Sequence, residues 1–261
     1  MDSLTRIALN TIPRKYLIRL SYLFRKFSQY AYKGNDVECP VCGSQYRKFL
    51  NYGYHNVRKN VLCPNCLSLE RHRLVWLYLK EKSDFFVKPM KILHIAPEQP
   101  FLKRFKALEH LDYITADLES PIADYKCDVQ ELPFGENEFD AVICNHVLEH
   151  VDDDTRAMSE ILRVMKPGAF AILLVPLYFD RQETYEDPTI VSPKDRAKHF
   201  LQYDHKRMYG IDYPERLKKV GFLIPEKNFL DEIGEDLKKR YALPEKEFMY
   251  GYLKPQQIKK Q

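Results

Sequence analysis

The sequence predicts an α/β fold of the doubly wound, Rossmann-like kind, a mostly parallel sheet covered by helices, and three observations carry that prediction. Residues 139–144 and 169–175 are apolar runs too short for helices, and they read as buried parallel strands. Between them Met158, Ile161, Leu162 and Met165 recur at three- and four-residue spacing, which marks the buried stripe of one helix. Upstream, the apolar run 92–96 is followed by a second such stripe, Phe101, Leu102, Phe105 and Leu108. Strand, helix and strand in alternation close by right-handed crossovers into one sheet.

Bulk composition suits one large globular domain with or without a small module: 261 residues, 45% hydrophobic and 30% charged. Basic residues interrupt the apolar ones from Arg6 onward, so no signal peptide is read, and the longest apolar run, 169–179, is too short to span a bilayer. A cytoplasmic location is the expectation. The net charge of +4 is concentrated at one end: residues 1–35 hold seven basic side chains against Asp2 alone, and the rest carries a small acidic excess. A main body without basic excess argues against a nucleic-acid grip over its whole face.

Taken in order, residues 1–35 form a basic amphipathic helical arm. After Pro13, suited to a first helical turn, Tyr16, Leu17, Leu20, Leu23, Phe24, Phe27 and Tyr30 share one face, and Arg19, Arg25 and Lys26 lie off it. Such a helix packs on its own body, makes a homo-oligomer contact, lies peripherally on a membrane, or contacts nucleic acid. Residues 36–70 hold two C-x-x-C pairs, Cys39 with Cys42 and Cys63 with Cys66, separated by 20 residues. Four thiolates presented by two tight turns complete a tetrahedral structural zinc site, a zinc-ribbon-like module with no open position for catalysis. Disulfides, a redox pair and rubredoxin-type iron are the competing uses of such cysteines. A connecting helix over 71–90 leads into a main domain over 91–256.

Within that domain the stretch from Cys127 to Phe170, CDVQELPFGENEFDAVICNHVLEHVDDDTRAMSEILRVMKPGAF, carries LPF, FD, LEH and RVMKPG in order. As an ensemble these motifs resemble the class I S-adenosylmethionine-dependent methyltransferases of the type 11-like group. The resemblance extends from about Lys91 to about Lys254. It implies a seven-stranded methyltransferase sheet, mostly parallel with an antiparallel last strand, and S-adenosyl-L-methionine as cofactor. It also implies a binding crevice outside the carboxyl ends of the strands, at the switch in strand order.

On that resemblance the end of the first strand, with His94, Ala96 and Glu98, faces the methionine part of the cofactor. The sequence departs from the family there: His94 replaces the usual acidic residue, and Ala96, Glu98 and Pro100 replace the customary glycines. Asp117, 19 residues beyond Glu98, is positioned to accept the ribose hydroxyls, with Leu118 beside it. Asp128 and Val129 frame the adenine, while Asn145 and His146 leave the fourth strand nearest the sulfonium. The segment 176–209 exceeds an ordinary connection, and long loops over a crevice carry function. In it Tyr185, Gln202, Arg207 and Tyr209 are read as acceptor contacts. His205 or His146 is read as a base and Asp204 as its partner.

Methyl transfer from a sulfonium demands orientation of donor and acceptor, and a base only for a protonated acceptor. The reading is therefore a methyltransferase acting on an oxygen or nitrogen of a small-molecule or glycan-type acceptor. A ribosomal RNA base methyltransferase, which the cysteine-rich front end also resembles, is one alternative. A non-catalytic binding module with a degenerate cofactor loop is the other.

Overall fold

The computed structural model describes residues 27–53 and 57–256. Its chain divides into two compact units, one made of residues up to 81 with 233–245, the other of 82–232 with 246 onward. The amphipathic arm expected over residues 1–35 lies mostly outside the described residues; of it, 27–31 are helical. Among the described residues no helix is long and apolar enough to cross a membrane.

In the first unit two short antiparallel ribbons accompany the cysteines: Lys33–Glu38 pairs with Gln45–Tyr46, and Leu50–Tyr52 pairs with Arg58–Leu62. Each C-x-x-C closes a turn, the Gly43 amide donating to Cys39 O at 2.8 Å and the Leu67 amide to Cys63 O at 3.0 Å. Both closing residues are left-handed, φ 69° and 61°, a conformation that glycine adopts freely and leucine only under constraint. The helix Glu70–Glu81 follows, and its Arg73 is wholly buried. That guanidinium donates to Val61 O, Ser68 O, Tyr241 O and Ala242 O at 2.6–3.0 Å and lies 4.5 Å from the centre of the Phe49 ring. One side chain thereby satisfies carbonyls from three separate segments and holds the returning stretch 233–245 in this unit.

In the second unit, β1 (Met90–Ile95), β2 (Leu111–Asp117), β3 (Tyr125–Lys126), β4 (Phe139–Cys144), β5 (Met165–Ile172) and β6 (Tyr252–Leu253) form one sheet in the order β6-β5-β4-β1-β2-β3. Every neighbouring pair is parallel except β6, which runs antiparallel to β5. This is the doubly wound arrangement. Ile92 and Leu93 of β1 and Ala141 to Cys144 of β4 expose nothing, which is why these central strands read as unbroken apolar runs.

Alternation along β1 assigns the helices to opposite faces. Leu93 and Ile95 join the core cluster that contains Met158 and Ile161 of α2 (Asp154–Val164). His94, between them, turns the other way onto Phe101 and Phe105 of α1 (Gln99–Lys106). Helix α2 begins where Asp153 accepts the Arg156 amide at 2.9 Å, an N-cap. The sheet holds six strands among the described residues, where the resemblance implied seven. Leu223 contributes only a bridge to Leu253, exchanging hydrogen bonds of 2.8 and 2.9 Å, and Pro225 has no N–H with which to extend the ladder.

Replacing Arg73 by Ala leaves four carbonyls in the first unit without their donor. An unfolding free energy lowered by about 3–5 kcal/mol is expected, read as an earlier urea midpoint; a change under about 1 kcal/mol would remove Arg73 from this role.

Candidate functional site

A cavity of about 290 Å³ opens at the carboxyl ends of β1 to β4, where the strand order reverses. Strand ends supply Ile95, Ala96, Asp117, Leu118, Cys127, Asp128, Val129 and Gln130 to its wall. Loops supply His146, Val147, His150, Val151, Asp152 and Lys206. Of the residues expected at the cofactor, Ala96, Asp117, Leu118, Asp128 and Val129 come together here.

His94, Glu98 and Asn145 are not on the wall. His94 is fully buried on the α1 face of the sheet, its Nδ1 2.6 Å from the Tyr113 hydroxyl, so strand alternation takes it away from any ligand in this cavity. Asn145 Nδ2 donates to Glu98 Oε2 at 2.9 Å, and Asn145 Oδ1 accepts the Leu174 amide at 3.2 Å. Together they tie the loop after β1 to the end of β4.

The backbone makes left-handed turns here at residues that are not glycine. Ala96 has φ +50° and donates its amide to Ala116 O at 2.8 Å. His146, at the end of β4, has φ +55° and donates to Leu174 O at 2.7 Å. A left-handed non-glycine residue costs on the order of 1–2 kcal/mol, and both such residues line the cavity; strain of this kind persists where neighbours enforce it. Asp117 is preset by its own loop, Oδ1 accepting the Glu119 and Ser120 amides at 2.8 and 2.7 Å. Asp128 is likewise held by Gln130, through its amide at 2.8 Å and its side chain at 3.0 Å. Burial and the carboxylates of Asp128 and Asp117 push the Cys127 thiol up, so it lines the wall as a neutral group.

Among His205, His146 and Asp204, only His146 reaches the wall. His205 is 6% exposed and packs edge-on against His150, ring centres 4.9 Å apart. Burial holds its pKa below the usual histidine value. Asp204 stands behind His150, Oδ2 3.4 Å from Nδ1. Glu149, 2% exposed, lies within this group, its Oε1 3.4 Å from His146 Nδ1.

The four expected acceptor contacts do not line this cavity. Arg207 is 3% exposed; it donates to Leu148 O and Val151 O at 2.7 Å, to Asp152 O at 2.9 Å and to Glu186 Oε2 at 3.0 Å. Tyr209 is buried, its hydroxyl donating to Asp154 Oδ2 at 2.8 Å. Their polar atoms are bonded to the loop and to Asp154, so these two hold the wall from behind. Tyr185 has its hydroxyl 3.1 Å from His199 Nδ1, and Gln202 is exposed.

A second cavity, of about 360 Å³, is bordered by Arg207 with Glu186, Asp187, Ile190, Val191 and Arg196. Asp152 and Lys206, joined as an ion pair, line both cavities. Asp152 and Lys206 were not legible as site residues, their one signal being a place in loops that follow strand ends, and His150 was visible only as the end of the LEH run.

In the first unit the four cysteine sulfurs lie within 4.8 Å of one another. Cys39 and Cys66 are 3.6 Å apart, Cys42 and Cys63 3.7 Å. These separations are far beyond a sulfur–sulfur bond of about 2.05 Å. They match the edge of about 3.8 Å that four bonds of about 2.3 Å define around a tetrahedral zinc ion. Ser68 Oγ lies 3.1 Å from Cys39 Sγ and 3.2 Å from Cys66 Sγ, a hydroxyl supporting two of the donors.

Residues 88–173 match the methyltransferase domain family. The ubiquinone/menaquinone biosynthesis C-methyltransferase UbiE of Desulfotalea psychrophila is 42% identical over 48 residues, 18% of this chain and 20% of that protein. A 2-phytyl-1,4-naphtoquinone methyltransferase of Nostoc sp. is 31% identical over 112 residues, 37% of this chain and 48% of that one. The chain therefore spans less than half the length of these curated relatives. Among solved structures, the 1,6-didemethyltoxoflavin-N1-methyltransferase of Burkholderia thailandensis aligns with TM-score 0.46 and 14% identity, covering 72% of this chain and 78% of that one. An S-adenosylmethionine dependent methyltransferase from Mesorhizobium loti aligns with TM-score 0.44 and 15% identity, covering 69% and 96%.

The depressed pKa of His205 has a pH consequence. The unfolded chain takes up this proton near the ordinary value of 6.5 and the folded one only at lower pH, so the stabilisation is complete above about 6.5 and is lost as pH falls below it. His205→Gln should flatten the decline in unfolding free energy measured from pH 7 down to 5; an unchanged slope would exclude His205 as its source.

Proposed function

We propose that this chain, whose residues 88–173 form a methyltransferase domain, transfers the methyl group of S-adenosylmethionine to a small-molecule acceptor. The observation that supports this most strongly is the convergence of Ala96, Asp117 and Asp128 on one cavity at the switch in strand order. Asp117 takes the ribose hydroxyls, Asp128 and Val129 border the adenine, and the loop at Ala96 takes the methionine end. The cofactor supplies a methyl group already activated by its sulfonium, so these residues act by orientation. The retained left-handed turn at Ala96 favours an enzyme over a binding module that has lost its ligand.

His146 serves as the base for a protonated acceptor, since it reaches the cavity while His205 is enclosed. Glu149, its Oε1 3.4 Å from His146 Nδ1, favours electrostatically the cation that forms on proton uptake. The quinone names of the curated relatives favour a small aromatic ring over a glycan as acceptor, with ring carbon joining oxygen and nitrogen as the atom methylated. In the cysteine module a structural zinc ion is held by Cys39, Cys42, Cys63 and Cys66. The negative charge of its four thiolates is partly balanced by the buried Arg73, whose pKa burial lowers and the nearby cysteines and Glu70 work to raise.

Titration calorimetry with S-adenosylhomocysteine tests the cofactor reading: the chain binds, and Asp117→Ala weakens binding about 10-fold or more. Absence of binding by the unaltered chain would overturn the enzyme reading in favour of the binding module. For the base, His146→Ala should cut turnover about 100-fold while changing S-adenosylhomocysteine affinity by less than about threefold. Acceptor class is set by incubating the protein and labelled S-adenosylmethionine with fractionated cell extract; label in RNA instead of small molecules would reverse the substrate assignment.

A further inference from the structure

Glu149, His150 and His205 each offer one ligand atom, and these atoms lie within 4.8 Å of one another. Glu149 is 2% exposed, and its Oε2 is buried without a hydrogen-bond partner among the described residues. A buried carboxylate oxygen left in this state is costly. Its other oxygen is little better served: His146 Nδ1 and His150 Nε2 approach Oε1 only to 3.4 and 3.9 Å, beyond good hydrogen-bond length. A carboxylate ringed by imidazoles that do not close on it lacks a central positive charge.

The spacing suits an ion in that position. Bonds of about 2.1 Å to nitrogen and oxygen hold tetrahedral donors about 3.4 Å apart, so side-chain movements of under about 1 Å would close the group around a metal. Behind it, His150 Nδ1 lies 3.4 Å from both the carbonyl oxygen and Oδ2 of Asp204. Nδ1 thus faces the Asp204 side and Nε2 faces the carboxylate, the orientation in which an imidazole can ligate a metal through Nε2. In front of it, His150 lines the cavity at the strand ends.

We propose that Glu149, His150 and His205 bind a divalent first-row transition metal ion beside this cavity. Two imidazoles and one carboxylate leave coordination positions open, and these would take an anionic oxygen of a molecule in the cavity. The site differs from the cysteine cluster in donor chemistry, nitrogen and oxygen against sulfur. It stands on side-chain geometry and does not require that the chain transfer methyl groups.

The full chain, stripped with chelator and dialysed against cobalt(II), separates the two sites by their spectra. Thiolate ligation gives strong charge-transfer absorption, whereas imidazole and carboxylate ligation gives only weak visible bands. The expected result is a second cobalt ion per chain with the weak spectrum. That ion is lost in both Glu149→Gln and His150→Ala, with the thiolate spectrum unchanged, and retained in Cys39→Ser. His150 is partly exposed, so His150→Ala remains informative if Glu149→Gln does not fold. A chain that takes up only thiolate-bound cobalt, or a weak-spectrum ion that survives the folded variants, overturns the proposal. Binding of S-adenosylhomocysteine, measured separately, reports on the cofactor reading alone.

Discussion

The guanidinium of Arg207 is the interaction on which the cavity depends. It is buried among three backbone carbonyls, those of Leu148, Val151 and Asp152, which belong to the turn carrying His146, Val147, His150 and Val151 into the cavity wall. A loop of this kind cannot bury its carbonyls without donors, and arginine is the side chain that can supply several in a fixed fork. The same residue pairs with Glu186, while Asp154, the first residue of α2, accepts from Tyr209 and Arg216. The long loop after β5 thus holds the loop after β4 from behind.

Around that anchor the backbone is held in conformations it would not choose alone. Ala96 and His146, at the ends of two adjacent strands, are both left-handed and both face the cavity. Their amides are bonded to Ala116 and Leu174 of neighbouring strand ends, and the Asn145–Glu98 hydrogen bond joins the two loops. The sheet therefore enforces a left-handed turn at residues that are not glycine. This explains how a loop so altered in sequence still opens onto a cavity lined by Asp117 and Asp128.

The first unit repeats the principle. Arg73 gathers four carbonyls around a buried charge, close to the four cysteines. In both units an arginine that composition would assign to the surface is instead the donor that makes irregular backbone tolerable in the interior.

Residue pattern alone determined the doubly wound class, because unbroken apolar strands and three-to-four spacing are local records of burial. It also determined the cysteine cluster, from its spacing, and the acidic strand ends at Asp117 and Asp128. Only tertiary structure decided which polar residues face a ligand. Arg207 and Tyr209 look like site chemistry in a linear reading, yet folding buries both with their polar atoms bonded to the loop and to Asp154. Lys206 and Asp152 reach the cavity walls without any motif. The sixth strand's lone bridge to Leu223 and the return of 233–245 to the first unit were likewise settled by long-range contacts. Hydrophobic periodicity reports whether a residue is buried, but a polar side chain's role depends on which distant carbonyls, amides and carboxylates surround it, and those neighbours exist only in the folded chain.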